Sequence, residues 1–170
     1  LIDQGMLRGE LGDRRLLLGV VGVDHLRKVL TKLFDEDEFL SPHGLRALSR
    51  YHRDHPYVLE VDGIVATIDY EPAESTTPMF GGNSNWRGPV WFPLNYLLIA
   101  ALERYHRFFG DELTVPYPTA TGPETTLDVI AADLRRRLVS LFLLDDAGRR
   151  PCYGGVERLR LLVRHLELER

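Results

Sequence analysis

Both tryptophans of the chain lie in one short segment that is rich in glycine and asparagine. The flat indoles of Trp86 and Trp91 and the ring of Tyr96 could pack against the apolar C–H face of a neutral sugar. The guanidinium of Arg87 offers several donors in a rigid fork, and the amide of Asn95 offers both donor and acceptor, so sugar hydroxyls would find partners. These residue types therefore indicate a carbohydrate pocket.

Other interpretations of the same segment stay open. Tryptophans beside the start of a predicted helix are often core anchors or part of a hydrophobic staple. Asn95 and Tyr96 could equally be helix residues that fix the preceding loop. The glycines and asparagines at 81–85 could form a phosphate-binding nest, but the lysine of a phosphate-binding loop is absent from the segment. On the carbohydrate interpretation, Asn83 and Asn85 would add amide groups to the pocket.

Acidic residues and histidines near this segment are candidates for catalysis or metal binding. Asp69, Glu71 and Glu74 could supply an acid–base pair, although solvated loop acids are the commoner case. His52 and His55 have a spacing that suits metal ligands, but no third ligand completes a site, and hydrogen-bonded loop histidines are the plainer interpretation. We therefore assign no catalytic residue and no metal from these side chains.

The sequence over 85–91, followed by Asn-Tyr at 95–96, resembles the Trp-Arg-Gly-Pro-[Ile/Val]-Trp…Asn-Tyr motif of glycoside hydrolase family 63. That family includes mannosyl-oligosaccharide glucosidases and mannosylglycerate hydrolases. The resemblance implies hydrolysis of α-glucosidic or α-mannosidic bonds by an inverting pair of carboxyl groups, without a metal or other cofactor. Shorter similar segments lie at 39–44, 48–52, 55–57, 70–75, 118–119 and 148–151. The residues that the resemblance carries over as lining the sugar pocket are Trp86, Arg87, Trp91, Asn95 and Tyr96.

The resemblance also implies a fold, the (α/α)6 barrel of that family, and it places both catalytic carboxyl groups outside this chain. We therefore predict a mainly α chain that forms part of an (α/α)6 barrel with a small β-hairpin excursion. Residues 1–170 would be a single segment, incomplete at both ends. The chain would then be a glycoside hydrolase-like fragment without activity of its own. The alternatives are a carbohydrate-binding domain that does not cleave its ligand and a purely structural helical domain.

Apolar periodicity and turn residues predict the elements that would position this pocket. Asp62-Gly63 between two β-branched runs predicts a hairpin over 57–68. Long loops are expected over 71–85 and 111–124, because prolines, glycines and small polar residues are frequent there. Helices are predicted over 23–34, 42–50, 93–109, 125–141 and 156–168.

Composition narrows the class of protein. With 44% hydrophobic and 27% charged residues and a net charge of -4, the chain is typical of a soluble globular protein and shows no basic footprint for nucleic acid. Its one cysteine, Cys152, favours a reducing compartment, so we expect a cytoplasmic protein. No apolar run is long enough to cross a membrane. The expected partner is a saccharide or glycoside, and uncovered barrel faces would favour self-association.

Overall fold

Three helices supply most of the apolar core, and small strand pairs lie between them. The computed structural model describes residues 7–8, 17–19, 21–82, 84–156, 158–159 and 161. The helices are α1 (Val23–Leu33), the single turn α2 (Met79–Gly82), α3 (Phe92–Phe109) and α4 (Leu127–Ser140). The antiparallel pairs are β1 (Leu7–Arg8) with β2 (Leu17–Leu18), β3 (Leu40–Ser41) with β4 (Gly44–Leu45), β5 (Tyr57–Val61) with β6 (Ile64–Ile68), and β7 (Thr114–Pro116) with β8 (Glu124–Thr126). Short 3-10 turns span Arg50–Arg53, Gly110–Glu112 and Pro151–Tyr153.

The prediction of a mainly α chain that forms part of an (α/α)6 barrel is wrong. The described residues contain four helices and several small antiparallel strand pairs, with about 43% helix and 17% strand, and they do not form a helical barrel. Most of these strands are two or three residues long. A strand of two or three residues is too short to show an alternating apolar pattern in the sequence. Only the helices have a visible apolar period, so the sequence predicts a mainly α chain.

The three long helices lie where their apolar periods predict them. α1 buries Leu26 and Leu30, and α3 buries Ile99 and Leu102. α3 begins with Pro93 in its first turn and packs against α4, and Gly110 follows its last residue with a φ of 58°. A left-handed φ is costly for a residue with a Cβ, so glycine is the preferred residue at this helix end.

The predicted hairpin is also confirmed. β5 pairs with β6 so that Val61 lies opposite Ile64, and the two residues between them, Asp62 and Gly63, have φ values of 51° and 77°. Positive φ at both central residues is the geometry that Asp-Gly favours in a tight hairpin turn. Every residue of β5 is exposed, so the hairpin lies on the surface rather than in the core.

The helix predicted over 42–50 is not formed, because the turn after β3 and the strand β4 occupy residues 42–45. Leu40 and Leu45 pair across the two strands and are both buried, and the hydroxyl of Ser41 donates to the carbonyl oxygen of Gly44 at 2.6 Å. Gly44 has a φ of 129°, which a helix cannot contain. Most of the segment 156–168, the last predicted helix, lies outside the described residues.

α4 begins at Leu127, two residues later than predicted. Thr126 precedes the helix, and its hydroxyl donates to the carboxylate of Asp128 at 2.5 Å instead of accepting from a helix N–H.

A cluster of hydrogen-bonded polar side chains ties α4 to the loops around it. The hydroxyl of Tyr117 donates to Oδ2 of Asp133 at 2.5 Å, and Nε of Arg137 donates to the same oxygen at 2.6 Å. Arg137 also donates to the carbonyl oxygen of Ser41 at 2.8 Å. Burial raises the pKa of Asp133, but the hydrogen bonds from Tyr117 and Arg137 outweigh it and hold that pKa below its ordinary value.

Replacing Asp133 with asparagine is expected to lower the free energy of unfolding by about 1–2 kcal/mol at pH 7, because the charged acceptor of the hydrogen bonds from Tyr117 and Arg137 is lost. A carboxylate with a lowered pKa stabilises the fold above its unfolded-state pKa of about 3.9, and this stability is lost as the pH falls through the folded-state pKa. Urea denaturation of both proteins at pH 7 and near pH 3 should therefore show the difference shrinking in acid. A difference that stayed constant over this range would contradict the assignment.

Candidate functional site

The five predicted pocket residues fall into two groups in the structure. The indole of Trp86 is exposed by 53%, Trp91 is half-buried, and Tyr96 is exposed. The polar residues are enclosed, since Arg87 is exposed by 1% and Asn95 by 0%. The aromatic rings can therefore meet a ligand from solvent, whereas the guanidinium and the amide are held inside the protein.

The two indoles contact each other and form one aromatic surface. Their ring centroids lie 4.3 Å apart with an interplanar angle of 66°, an edge-to-face arrangement. Trp91 is the residue that precedes α3, so the helix start fixes its backbone. Asn83, which the carbohydrate interpretation placed beside them, lies outside the described residues.

Arg87 is the polar centre of the loop that precedes the indoles. Its Nη1 lies 2.6 Å from Oε2 of Glu71 and donates to Oγ1 of Thr77 at 3.0 Å, and its Nη2 donates to the hydroxyl of Ser75. Hydrogen bonds from Thr76 and the charge of Arg87 lower the pKa of Glu71. Glu71 therefore stays ionised at neutral pH as the partner of Arg87, which does not suit a catalytic acid.

The backbone around Arg87 is fixed from two sides. The amide of Glu71 donates to the carbonyl oxygen of Arg87 at 2.6 Å, and the amide of Ala47 donates to that of Pro89 at 2.9 Å. Gly88 has a φ of 126°, and a Cβ at this position would lie 2.4 Å from the ring of Tyr70. Only glycine allows this close approach, so the Trp-Arg-Gly-Pro sequence is matched to a rigid turn.

Asn95 holds the start of α3 against β4. Its Oδ1 accepts from the amide of Leu45 at 2.7 Å, and its Nδ2 donates to the carbonyl oxygens of Leu45 and Trp91 at 2.8 and 3.0 Å. Every polar atom of this side chain is engaged by backbone. Asn95 therefore holds the backbone of Trp91 and the start of α3 against β4.

Tyr96 lies on a different surface from the tryptophans. It lines an open groove between α3 and α4, and neither indole contributes to that groove. The structure therefore does not bring Tyr96 into one pocket with Trp86 and Trp91. The groove is lined by Phe92, Tyr96, Ile99, Ala100, Glu103, Arg135, Leu138 and Val139.

The candidate metal ligands have local partners. Nδ1 of His52 lies 3.0 Å from the carbonyl oxygen of His55, and Nδ1 of His55 lies 3.2 Å from that of Tyr51. The ring of His55 stacks on Tyr51 with centroids 4.2 Å apart. Within the described part of the chain, no group of three or more His, Cys, Asp or Glu residues is placed to hold a metal ion. None of the described helices is long and apolar enough to cross a bilayer.

The described residues form a mixed segment of helices and hairpins. In it the indoles of Trp86 and Trp91 contact each other, and the buried side chains of Arg87 and Asn95 hold the backbone next to them. No protein-family model and no solved structure matches the chain. A Saccharomyces cerevisiae protein, the uncharacterized protein YMR196W, is 43% identical over 141 residues, which cover 83% of this chain. The chain matches only 13% of the length of that yeast protein.

Proposed function

We propose that the chain is a sugar-binding part of a glycoside hydrolase whose parent enzyme cleaves α-glucosidic or α-mannosidic bonds by an inverting acid–base mechanism. The observation that carries this proposal is the pair of indoles, the exposed Trp86 and the half-buried Trp91, which lie edge to face between a rigid turn and the start of α3. Rings that are fixed before binding lose little conformational entropy when a pyranose packs on them. The similarity of the Trp-Arg-Gly-Pro-Val-Trp segment to family 63 supports the hydrolase class.

In this proposal the buried residues act through the tryptophans. Arg87 holds the turn that carries Trp86, and Asn95 holds the backbone of Trp91. The ligand is a saccharide or glycoside, and neither a cofactor nor a nucleic acid or membrane partner is proposed. We also propose a cytoplasmic location, which the single cysteine supports.

A second candidate function is saccharide binding without cleavage. It is favoured by the engagement of Glu71, the carboxylate that contacts Arg87, in an internal ion pair. The two functions differ in whether the parent protein has a catalytic acid and base, which the hydrolase proposal places outside this chain. Assaying aryl α-glucosides and α-mannosides with the parent protein separates them, because the binding module would retain its ligand without releasing the aryl group.

Replacing Trp86 with alanine is expected to weaken binding of an α-linked glucoside or mannoside by roughly 10- to 100-fold, since one buried ring contributes about 1.5–3 kcal/mol. Isothermal titration calorimetry with maltose and with α-1,2-mannobiose measures this without relying on tryptophan emission. Tyr57→Ala is the matched control, because Tyr57 is a similarly exposed aromatic residue on the hairpin. A folded wild-type chain that bound no sugar of either series would refute the proposed function.

A further inference from the structure

One face of the hairpin formed by β5 and β6 is entirely apolar. In an antiparallel pair, residues directly opposite each other project to the same face, and successive residues along a strand alternate between the two faces. The register places six side chains on one face, which we call the apolar hairpin face: Tyr57, Leu59, Val61, Ile64, Ala66 and Ile68. The opposite face carries Val58, Glu60, Val65 and Thr67. Charged and polar side chains of the two strands therefore occur on the opposite face alone.

The apolar hairpin face is open to solvent in the described part of the chain. Its largest side chains are all exposed, and Ile64 is exposed by 72%. Among the described residues, the sheet has only these two strands. A two-stranded hairpin without a further layer is only marginally stable in water, and an antiparallel sheet commonly packs its apolar face against other elements. The pattern is thus that of a sheet face that becomes covered.

The size of the apolar hairpin face indicates what kind of surface covers it. Each strand has five residues and extends about 17 Å, and two paired strands are roughly 10 Å wide. A stable complex between separate proteins buries about 800 Å² on each side, several times this rectangle of roughly 170 Å². This face alone is therefore too small to hold two copies of the chain together. Packing within one polypeptide does not cost the translational freedom of a second molecule, so a small apolar face suffices there.

We propose that the apolar hairpin face packs against an apolar surface of the parent protein that lies outside this chain. The chain matches only 13% of the length of its yeast relative, so most of such a protein lies beyond the matched residues. The covering surface is apolar and uncharged, because the hairpin face offers no charged group to pair with. The inference rests on the proposed function only in that it places the chain within a longer parent protein, and it does not depend on sugar binding.

Val61 and Val58 form a matched pair that tests which face is covered. Both are valines of β5 with exposures of 53% and 58%, and they project to opposite faces. Val61→Cys and Val58→Cys are made in the parent protein and in this chain, and peptide mass spectrometry follows maleimide labelling separately from that of Cys152. In the parent, the cysteine at position 61 is expected to react at least about 10-fold more slowly than that at position 58, because a covered thiol is not accessible. In this chain the two should react at similar rates.

A charge at the same two positions gives a second measurement that does not depend on labelling. Val61→Lys is expected to lower the melting temperature of the parent protein by several degrees, because it places an unpaired charge against an apolar surface. Val58→Lys should leave that melting temperature nearly unchanged. In this chain both lysine variants should melt close to the wild type, since both positions are open to solvent.

The outcomes distinguish this inference from its alternatives. Equal labelling rates at the two positions in the folded parent, or equal melting temperatures of its two lysine variants, would overturn it. Labelling of Val61→Cys that slows in this chain as the protein concentration rises would also overturn it, because a second copy would then cover the face. Neither measurement involves a saccharide, so a parent protein that binds no sugar would refute the proposed function and leave this inference standing.

Discussion

Replacing Arg87 with methionine is expected to lower the free energy of unfolding by about 3–5 kcal/mol. The guanidinium is 1% exposed and lies 2.6 Å from the carboxylate of Glu71, so its loss leaves that carboxylate without its opposite charge, although the hydrogen bonds from Thr76 remain. The hydroxyls of Ser75 and Thr77 also lose the hydrogen bonds that they accept from Arg87. Urea denaturation followed by circular dichroism at pH 7 measures the loss, and tryptophan emission should shift because the turn of Trp86 loosens.

A surface arginine provides the control for this variant. Arg53 pairs with Asp54 at 3.3 Å, and both side chains are well exposed. Arg53→Met should therefore change the free energy of unfolding by no more than about 0.5 kcal/mol. The double variant Arg87→Met/Glu71→Leu should recover much of the lost stability, because an apolar pair replaces an unpaired charge. Equal losses for Arg87→Met and Arg53→Met would show that the buried ion pair does not hold this loop.

The free energy of unfolding lost in Arg87→Met should be smaller at low pH than at pH 7. The pKa of Glu71 is lowered below its ordinary value of 4.5 by hydrogen bonds from Thr76 and by the charge of Arg87. Such a carboxylate contributes stability above its unfolded-state pKa, and the contribution is lost as the pH falls through the lower folded-state pKa. The gap between wild type and Arg87→Met should therefore narrow in acid.

The sequence predicts the long helices, in which the apolar pattern repeats over several turns, better than it predicts the short strands. α1, α3 and α4 each repeat apolar residues over several turns, and the hairpin turn at Asp62-Gly63 allows few other conformations. By contrast, β3 and β4 are each two residues long, and their leucines are buried because β4 packs against α4. Packing of that kind joins residues far apart in the chain, so local patterns do not reveal it.

Residue type alone does not show which of the predicted pocket residues face solvent. Arg87 and Asn95 have side chains that could bind sugar hydroxyls, yet their partners are backbone and loop groups, up to 50 residues away for Asn95. One signal in the sequence does distinguish Asn95. It lies four residues before Ile99 and seven before Leu102, on the buried face of α3, whereas Tyr96 lies off that face.

Replacing Asn95 with leucine is expected to lower the free energy of unfolding by about 2–4 kcal/mol, because it leaves the amide and carbonyl groups of Leu45 without their side-chain partner. An unpaired buried backbone group cannot recover its hydrogen bond from water, since Asn95 is 0% exposed. Urea denaturation measures the loss, and hydrogen exchange should show the amide of Leu45 losing protection. Unchanged protection at Leu45 would show that this amide does not depend on Asn95.

Replacing Asn95 with aspartate keeps the shape of the side chain and makes its effect depend on pH. The new carboxyl group could still accept from the amide of Leu45, but its second oxygen would face the carbonyl oxygens of Leu45 and Trp91. Burial and those carbonyls favour the protonated form, so the folded-state pKa of the new group is raised. A group with a raised pKa stabilises the fold below its unfolded-state pKa, and this stability is lost as the pH rises through the folded-state pKa. Asn95→Asp should therefore approach wild-type stability in acid and lose it towards neutral pH, and the saccharide binding that we propose for Trp91 should decline over the same range.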